Sequence, residues 1–257
     1  MKGPDLCFVM PAYNEQDCIA KVIGEWLAEL ARCVPSGRYL AIIVNDGSRD
    51  RTGEILDTLA ARQKNLRVIH QANGGHGAAL LRGYREAVEF DAEWVFHVDS
   101  DDQFEPSDFR LLWERRSQSR FVTGYRRSRH DALHRLVITR LVRGLNLMMF
   151  GYYLKDANIP FRLIHGAYLN RLLSRLPDPV FAPNIFLSLL AARDGQKLLE
   201  VPVTHKPRET GAVSIVRWKL IKVCFRSARE LFRFRRQLPK HLVALKAADS
   251  ISVVRAP

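Results

Sequence analysis

Two hydrophobic periods alternate along the first hundred positions. Apolar runs at 6–10 (LCFVM), 39–45 (YLAIIVN), 66–70 (LRVIH) and 93–99 (EWVFHVD) have the length of strands. Their near-continuous apolar character predicts strands covered on both faces. Between them, 15–33 carries Ile19, Val22, Ile23, Trp26, Leu27 and Leu30 at helical spacing, and 50–62 places Ile55, Leu56 and Leu59 on one face. A third helix is predicted over 78–90, after a glycine-rich turn. Strands alternating with helices predict an α/β fold with a mostly parallel sheet and right-handed crossovers. In such sheets, ligands bind in the crevice at the carboxyl ends of the strands.

Polar residues gather at those ends. The first strand runs into Pro11-Ala12-Tyr13-Asn14-Glu15, the second into Asn45-Asp46-Gly47-Ser48, and the third leads to Asn73-Gly74-Gly75-His76-Gly77. The fourth stops at Asp99-Ser100-Asp101-Asp102. Four polar clusters on one edge predict a site.

Beyond Pro106 the pattern loosens. A further strand is predicted at 121–127, a long basic-then-apolar helical stretch at 130–153, and a loop, short strand and helix within 156–173. A strand and polar loop follow over 197–211, then a strongly basic amphipathic segment over 213–237. The tail from Ala247 has little periodicity and reads as disordered. No internal repeat is evident.

Composition sharpens the picture in three ways. Forty Lys and Arg against 27 Asp and Glu leave a formal charge of +13, which points to an anionic partner such as a phosphorylated substrate, an acidic membrane or nucleic acid. Cys7, Cys18, Cys33 and Cys224 show no C-x-x-C spacing and read as packing residues of a reduced, cytosolic protein. The longest uncharged run among the helical stretches, Gly144–Leu154, has eleven residues, short of the ~20 needed to cross a bilayer. The N-terminus, with Asp5 ahead of the first strand, does not read as a signal peptide.

Asp99 and Asp101, one residue apart where a buried strand ends, suit a hard divalent cation, and Gln103 offers a further oxygen. Mg²⁺ or Mn²⁺ at such a place is commonly shared with substrate phosphates; an acidic surface turn is the alternative. The glycines of 73–77 let backbone N–H groups approach a phosphate at a helix N-terminus, although the spacing is neither G-x-G-x-x-G nor a P-loop, and a plain tight turn remains open. Asp46 stands one step too early to cap the helix after Ser48 and Asp50, which leaves it for a nucleobase or ribose. His130 and His134, spaced i, i+4 among arginines, read as a solvated basic face.

Taken together, the motifs VMPAYNE, IIVNDGSRDRT, NGGHGAALLRG and VDSDDQ, followed by GYR (124–126), DANIPFRL (156–163) and VPVTHKPRETGAVS (201–214), resemble the family 2 inverting glycosyltransferases. Within them, the pattern is similar to the branch of dolichyl-phosphate mannose synthase and bacterial polyprenyl-phosphate glycosyltransferases. The resemblance covers roughly 6–215 and implies a GT-A-type catalytic domain over 1–215, a basic membrane-interfacial helical region over 216–246 and a tail over 247–257. It implies that Pro11, Tyr13, Glu15, Asp46, Gly75, Gly77 and Asp99 hold the nucleotide-sugar. Asp99, Asp101 and Gln103 would hold the metal, and Arg126 and Arg208 would join Asp101 in catalysis by meeting phosphates. Three positions depart from the family pattern: His76 stands where Lys is frequent, Asn45 where Asp is frequent, and Ala212-Val213-Ser214-Ile215 where G-x-S-K is frequent.

The implied reaction is metal-dependent transfer, with inversion, from a UDP- or GDP-sugar. Hydroxyl-directed relatives carry an acid near the helix that follows the acceptor loop, whereas this chain has Asn184 there. Asparagine cannot take a proton, so the sequence leans toward an acceptor that is already an anion, a polyprenyl phosphate, met at the cytosolic membrane surface by a peripheral protein. Asp156 or Asp178 would be the base if the acceptor were a hydroxyl of a small molecule or glycan. The positive charge lies mostly after residue 110 while the strand ends are acidic, which argues against nucleic-acid binding. A homo-oligomer is compatible with the basic helices.

Overall fold

The computed structural model describes residues 3–126, 155–177, 180, 182–207 and 229. Arg208, Asp178, the 130–153 stretch with His130 and His134, the tail, and the basic segment 216–246 save Arg229 lie outside the described residues.

Among the described residues, seven strands form one sheet: β1 (Leu6–Ala12), β2 (Tyr39–Asp46), β3 (Leu66–Gln71), β4 (Trp94–Val98), β5 (Phe121–Arg126), β6 (Phe161–His165) and β7 (Leu198–Val203). Their order is β3-β2-β1-β4-β6-β5-β7. β1 pairs in parallel with both β2 and β4, as do β2 with β3 and β5 with β7. β6 alone is reversed, antiparallel to β4 and to β5. The sheet expected from the sequence is therefore present, mostly parallel, with one strand inverted in its second half.

Helices α1 (Ile19–Cys33) and α2 (Thr52–Arg62) cover one face together with the short α4 (Phe109–Trp113); α3 (His76–Glu89), α5 (Gly166–Leu173) and α6 (Pro183–Arg193) cover the other. Every residue of β1 is buried. Its side chains alternate between the two cores: Leu6, Phe8 and Met10 toward α1, Cys7 and Val9 toward α3. Trp26 of α1 packs 5.5 Å from both Phe8 and Phe96 and 6.1 Å from Phe161, centroid to centroid. Such aromatic pairs contribute about 0.5–1.5 kcal/mol each beyond area burial, and they lock α1 across three strands.

Element ends differ from the sequence reading by a few residues. α1 begins at Ile19 rather than Glu15 because residues 16–18 form a turn, in which Cys18 and Ile19 donate backbone N–H groups to the Glu15 carbonyl. α3 starts two residues earlier than read, at His76, because Gly75 at φ 86° supplies the sharp entry. Cys7, Cys18 and Cys33 are free thiols, in keeping with packing roles.

The chain starts in the middle of the sheet, builds outward to β3, then crosses back to β4 on the other side of β1. The crevice of such a sheet opens where the order reverses, between the carboxyl ends of β1 and β4.

Candidate active site

A cleft of about 320 Å³ occupies that crevice, lined by Pro11, Ala12, Tyr13, Glu15, Asp46, Asn73, Gly75, His76, Ala79, Asp99, Ser100 and Asp101. All four polar clusters singled out in the sequence contribute to it. The volume falls within the range of small-ligand pockets.

β1 supplies the floor and one lip. Tyr13 stands 40% exposed beside the opening, while Glu15 is buried. The turn after β1 is tied to the turn after β2: the Asn14 N–H donates to Ser48 Oγ at 3.0 Å, the Arg49 N–H to Asn14 Oδ1 at 2.8 Å, and the Glu15 N–H to Thr52 Oγ1 at 2.9 Å. These bonds hold Asn14 at φ 53°, a left-handed conformation that asparagine tolerates better than most residues.

Asp46 closes the glycine turn. Its Oδ1 accepts from Gln71 Nε2 at 2.7 Å and from the Gly74 N–H at 2.8 Å, and its Oδ2 accepts the Gly75 N–H at 2.8 Å. The sequence left Asp46 available for a nucleotide; in the structure it lines the cleft and also organises the loop beside it. Gly47 is required here on two counts, a φ of 65° and the Asn73 nitrogen, which would lie 2.7 Å from any Cβ. Gly75 lines the cleft, whereas Gly77 is buried one residue inside α3.

The acidic stretch after β4 divides its charges. Asp99 and Asp101 face the cleft. Asp102, at φ 57°, turns away and pairs with Lys21 Nζ of α1 at 2.7 Å. Gln103 lies outside the lining: its N–H approaches Asp101 Oδ1 at 3.4 Å, its side-chain amide donates to the Lys206 carbonyl at 3.1 Å, and its own carbonyl accepts the Lys206 N–H at 2.8 Å. The 206 loop is thereby strapped beneath the Asp101 turn. Arg126 ends β5, half-buried, with Nη1 donating to Asp156 Oδ2 at 3.4 Å.

Sequence reasoning gave no role to His97. Its signal was present: a histidine inside the apolar run WVFHV, two residues before Asp99 and so on the same face of the strand. That face carries Val95 and meets α3. His97 is fully buried, edge-on to Tyr84 with ring centroids 5.7 Å apart and 6.3 Å from the His76 ring. Its Nε2 lies 3.3 Å from Asp99 Oδ1, and His76 Nε2 lies 3.6 Å from the same oxygen. Burial drives the His97 pKa down to about 4 against the pull of Asp99, so the ring is neutral at pH 7. Burial alone would raise Asp99; the charge of His76, the contact with His97 and the charge of Arg126 outweigh it and hold this carboxyl below its ordinary value.

Arg162 was missed as well. Opposite His97 in the β4–β6 register, it is fully buried. Its guanidinium donates to the carbonyls of Ala157, Ile159 and Asn184 and to Ser188 Oγ, at 2.7–3.3 Å. It pins the loop before β6 to α6. Asn184 is buried in the first turn of α6.

Among the described residues, no helix is long and apolar enough to cross a membrane.

The family model described as "Glycosyl transferase family 2" matches residues 7–175. An undecaprenyl-phosphate 4-deoxy-4-formamido-L-arabinose transferase of Edwardsiella ictaluri is 28% identical over 221 residues, 84% of this chain; the chain spans about 65% of that relative's length. An undecaprenyl-phosphate mannosyltransferase of Micrococcus luteus is 26% identical over 231 residues, covering 82% of this chain and 93% of the relative. Among solved structures, glucosyl-3-phosphoglycerate synthase from Mycobacterium tuberculosis, in complex with Mn²⁺, UDP-glucose and phosphoglyceric acid, superposes with a TM-score of 0.63 at 19% identity, over 91% of this chain and 80% of that one. That likeness concerns the fold, which is of the GT-A type. With the match extending from β1 through α5, the chain belongs to glycosyl transferase family 2.

Proposed function

We propose that this glycosyltransferase moves a sugar, with inversion, from a UDP- or GDP-sugar to a polyprenyl phosphate, with Mg²⁺ or Mn²⁺ bound at the β4 end of the cleft. The observation that carries the reading is the convergence of Asp99 and Asp101 with Pro11, Tyr13, Glu15 and Asp46 around one cleft, in a family whose undecaprenyl-phosphate transferases are similar to this chain over four-fifths of its length.

The donor set fits a divalent ion. Asp99 Oδ1 is buried and has no hydrogen-bond partner among the described residues, while Asp101 faces the same space. The depressed pKa of Asp99 keeps it an anion. Bound there, such an ion supplies Lewis-acid neutralisation of the departing diphosphate. The chain's own part is positioning. Tyr13 offers a ring face at the lip for the base, the Asp46-braced turn fixes Gly75 beside the cleft, and the Gln103–Lys206 strap holds the Asp101 turn in place. Arg126 and Arg208 orient phosphate oxygens.

The acceptor follows from where acids stand. Attack by a hydroxyl needs a base to take its proton. Asn184 cannot serve, Asp156 is buried and paired with Arg126, and Asp178 lies outside the described residues. An acceptor phosphate is already an anion and needs cationic orientation alone. The basic segment over 216–246 would hold the protein, as a peripheral one, against anionic lipid at the cytosolic face. The test is transfer of radiolabelled sugar from UDP- and GDP-sugars to polyprenyl phosphate in vesicles, with Mn²⁺ or EDTA. Metal-dependent labelling of the lipid is the expected result; labelling of soluble hydroxyl acceptors only would overturn it.

A further inference from the structure

We propose that His76, His97 and Asp99 form a nitrogen-containing metal site at the inner wall of the cleft, taking a divalent transition ion such as Mn²⁺, Co²⁺ or Zn²⁺ in preference to Mg²⁺. The inference deepens the proposed function, on which it rests through the shared Asp99.

Geometry is the first support. One ligand atom from each of the three side chains lies within 4.8 Å of the others. The contacts to Asp99 Oδ1 are 3.3 Å from His97 and 3.6 Å from His76. Ligands bound at about 2.1 Å around one ion stand roughly 3.0–3.5 Å apart, so only small side-chain adjustments would close the set.

The second support is independent of spacing. Neither ring nitrogen of the fully buried His97 has a hydrogen-bond partner among the described residues, and neither does Asp99 Oδ1. At 3.3 Å, His97 Nε2 and Asp99 Oδ1 stand farther apart than in a well-formed charge-assisted hydrogen bond. A buried imidazole normally donates one N–H and offers one lone pair. Here a ring nitrogen without a hydrogen-bond partner stands beside a carboxylate oxygen that has none either.

Backbone architecture explains why the three converge. His97 lies in β4 and packs against Tyr84 of α3, and Asp99 is the first residue past the strand's end. His76 is the first residue of α3, delivered by the positive-φ Gly75, and half its side chain is exposed toward the cleft. Two imidazoles and a carboxylate favour borderline transition ions over Mg²⁺, which prefers oxygen alone. Three protein ligands would leave positions open for water or phosphate.

The experiment uses the full chain stripped with EDTA, then given Mn²⁺ or Co²⁺ alone. Pulsed EPR of bound Mn²⁺ should show coupling to a directly ligated ¹⁴N. Co²⁺ should bind at one per chain. H97F should remove part of the ¹⁴N coupling and weaken Co²⁺ binding at least roughly tenfold. H76A changes a half-exposed residue and should act in the same direction without threatening the fold. An all-oxygen signal in the wild type, or Co²⁺ binding unchanged in both histidine variants, overturns the inference. Loss of the ion in D101N with retention in both histidine variants would overturn it too, while leaving the proposed function standing. Intact ¹⁴N coupling in a protein that binds no nucleotide-sugar would sink the proposed function alone.

Discussion

The Asp46 carboxylate accepts the backbone N–H of Gly75 at 2.8 Å, joining the end of one strand to the turn that launches the neighbouring helix. With the bonds from Gly74 and Gln71, this buried side chain is the keystone of the turn. Asp46→Asn would present an NH₂ group to one of these donors. Unfolding in urea should show a loss of about 2 kcal/mol, and nucleotide affinity should fall as Gly75 shifts. An unchanged midpoint would mean that the turn holds itself.

Asp101 sits in a partly open turn and carries little of the core. Asp101→Asn should leave the melting temperature of the unliganded protein within about 2 °C of wild type. The extra rise produced by a nucleotide-sugar with Mn²⁺ should vanish, since that rise is mass action through the bound state. Differential scanning fluorimetry with and without EDTA reads both quantities.

Among the described residues, the Arg162 fork donates to carbonyl oxygens and the Ser188 hydroxyl rather than to a carboxylate. Burial lowers its pKa, yet guanidinium remains protonated at any working pH. Arg162→Lys cannot reproduce the fork and should cost about 3 kcal/mol or more, measured by chemical denaturation. Wild-type stability in that variant would show that water replaces the lost donors.

His165 ends β6, with its ring edge-on to Trp94 and a buried Nδ1 that has no partner among the described residues. Burial and the charge of Arg120 lower its pKa from 6.5, against the opposing charge of Glu93. The unfolded chain therefore binds a proton more readily than the folded one. The contribution of this residue to stability is complete above about pH 6.5 and declines as the pH falls below it. Stability curves of wild type and His165→Gln between pH 7.5 and 5 should converge toward the acid end; parallel curves would refute the assignment.

Much of this was legible in the sequence because β1, β2 and β4 are apolar runs that only a doubly covered sheet can hide, and because each ends in polar residues at one edge. Three things were not legible. The reversal of β6 leaves no mark in FRLIH, whose apolar pattern fits a strand running in either direction. Asp46 bonds backbone groups of the 73–75 turn, and backbone partners leave no trace in residue identity. His97 and Arg162 look like interruptions of apolar strands; only the pairing of β4 with β6, and the approach of α3, reveal that each has a defined place.

The inverted strand has a consequence for how such an enzyme diversifies. Because β6 runs against β4, Phe161 lies beside Val98, and the loop over 156–160 arrives at the rim where Asp99 begins. The residues that line the cavity are thus all encoded before residue 102, and the 156–160 loop reaches its rim from a later length of chain. Substitutions in that later length can therefore reshape the rim while leaving the lining residues unchanged.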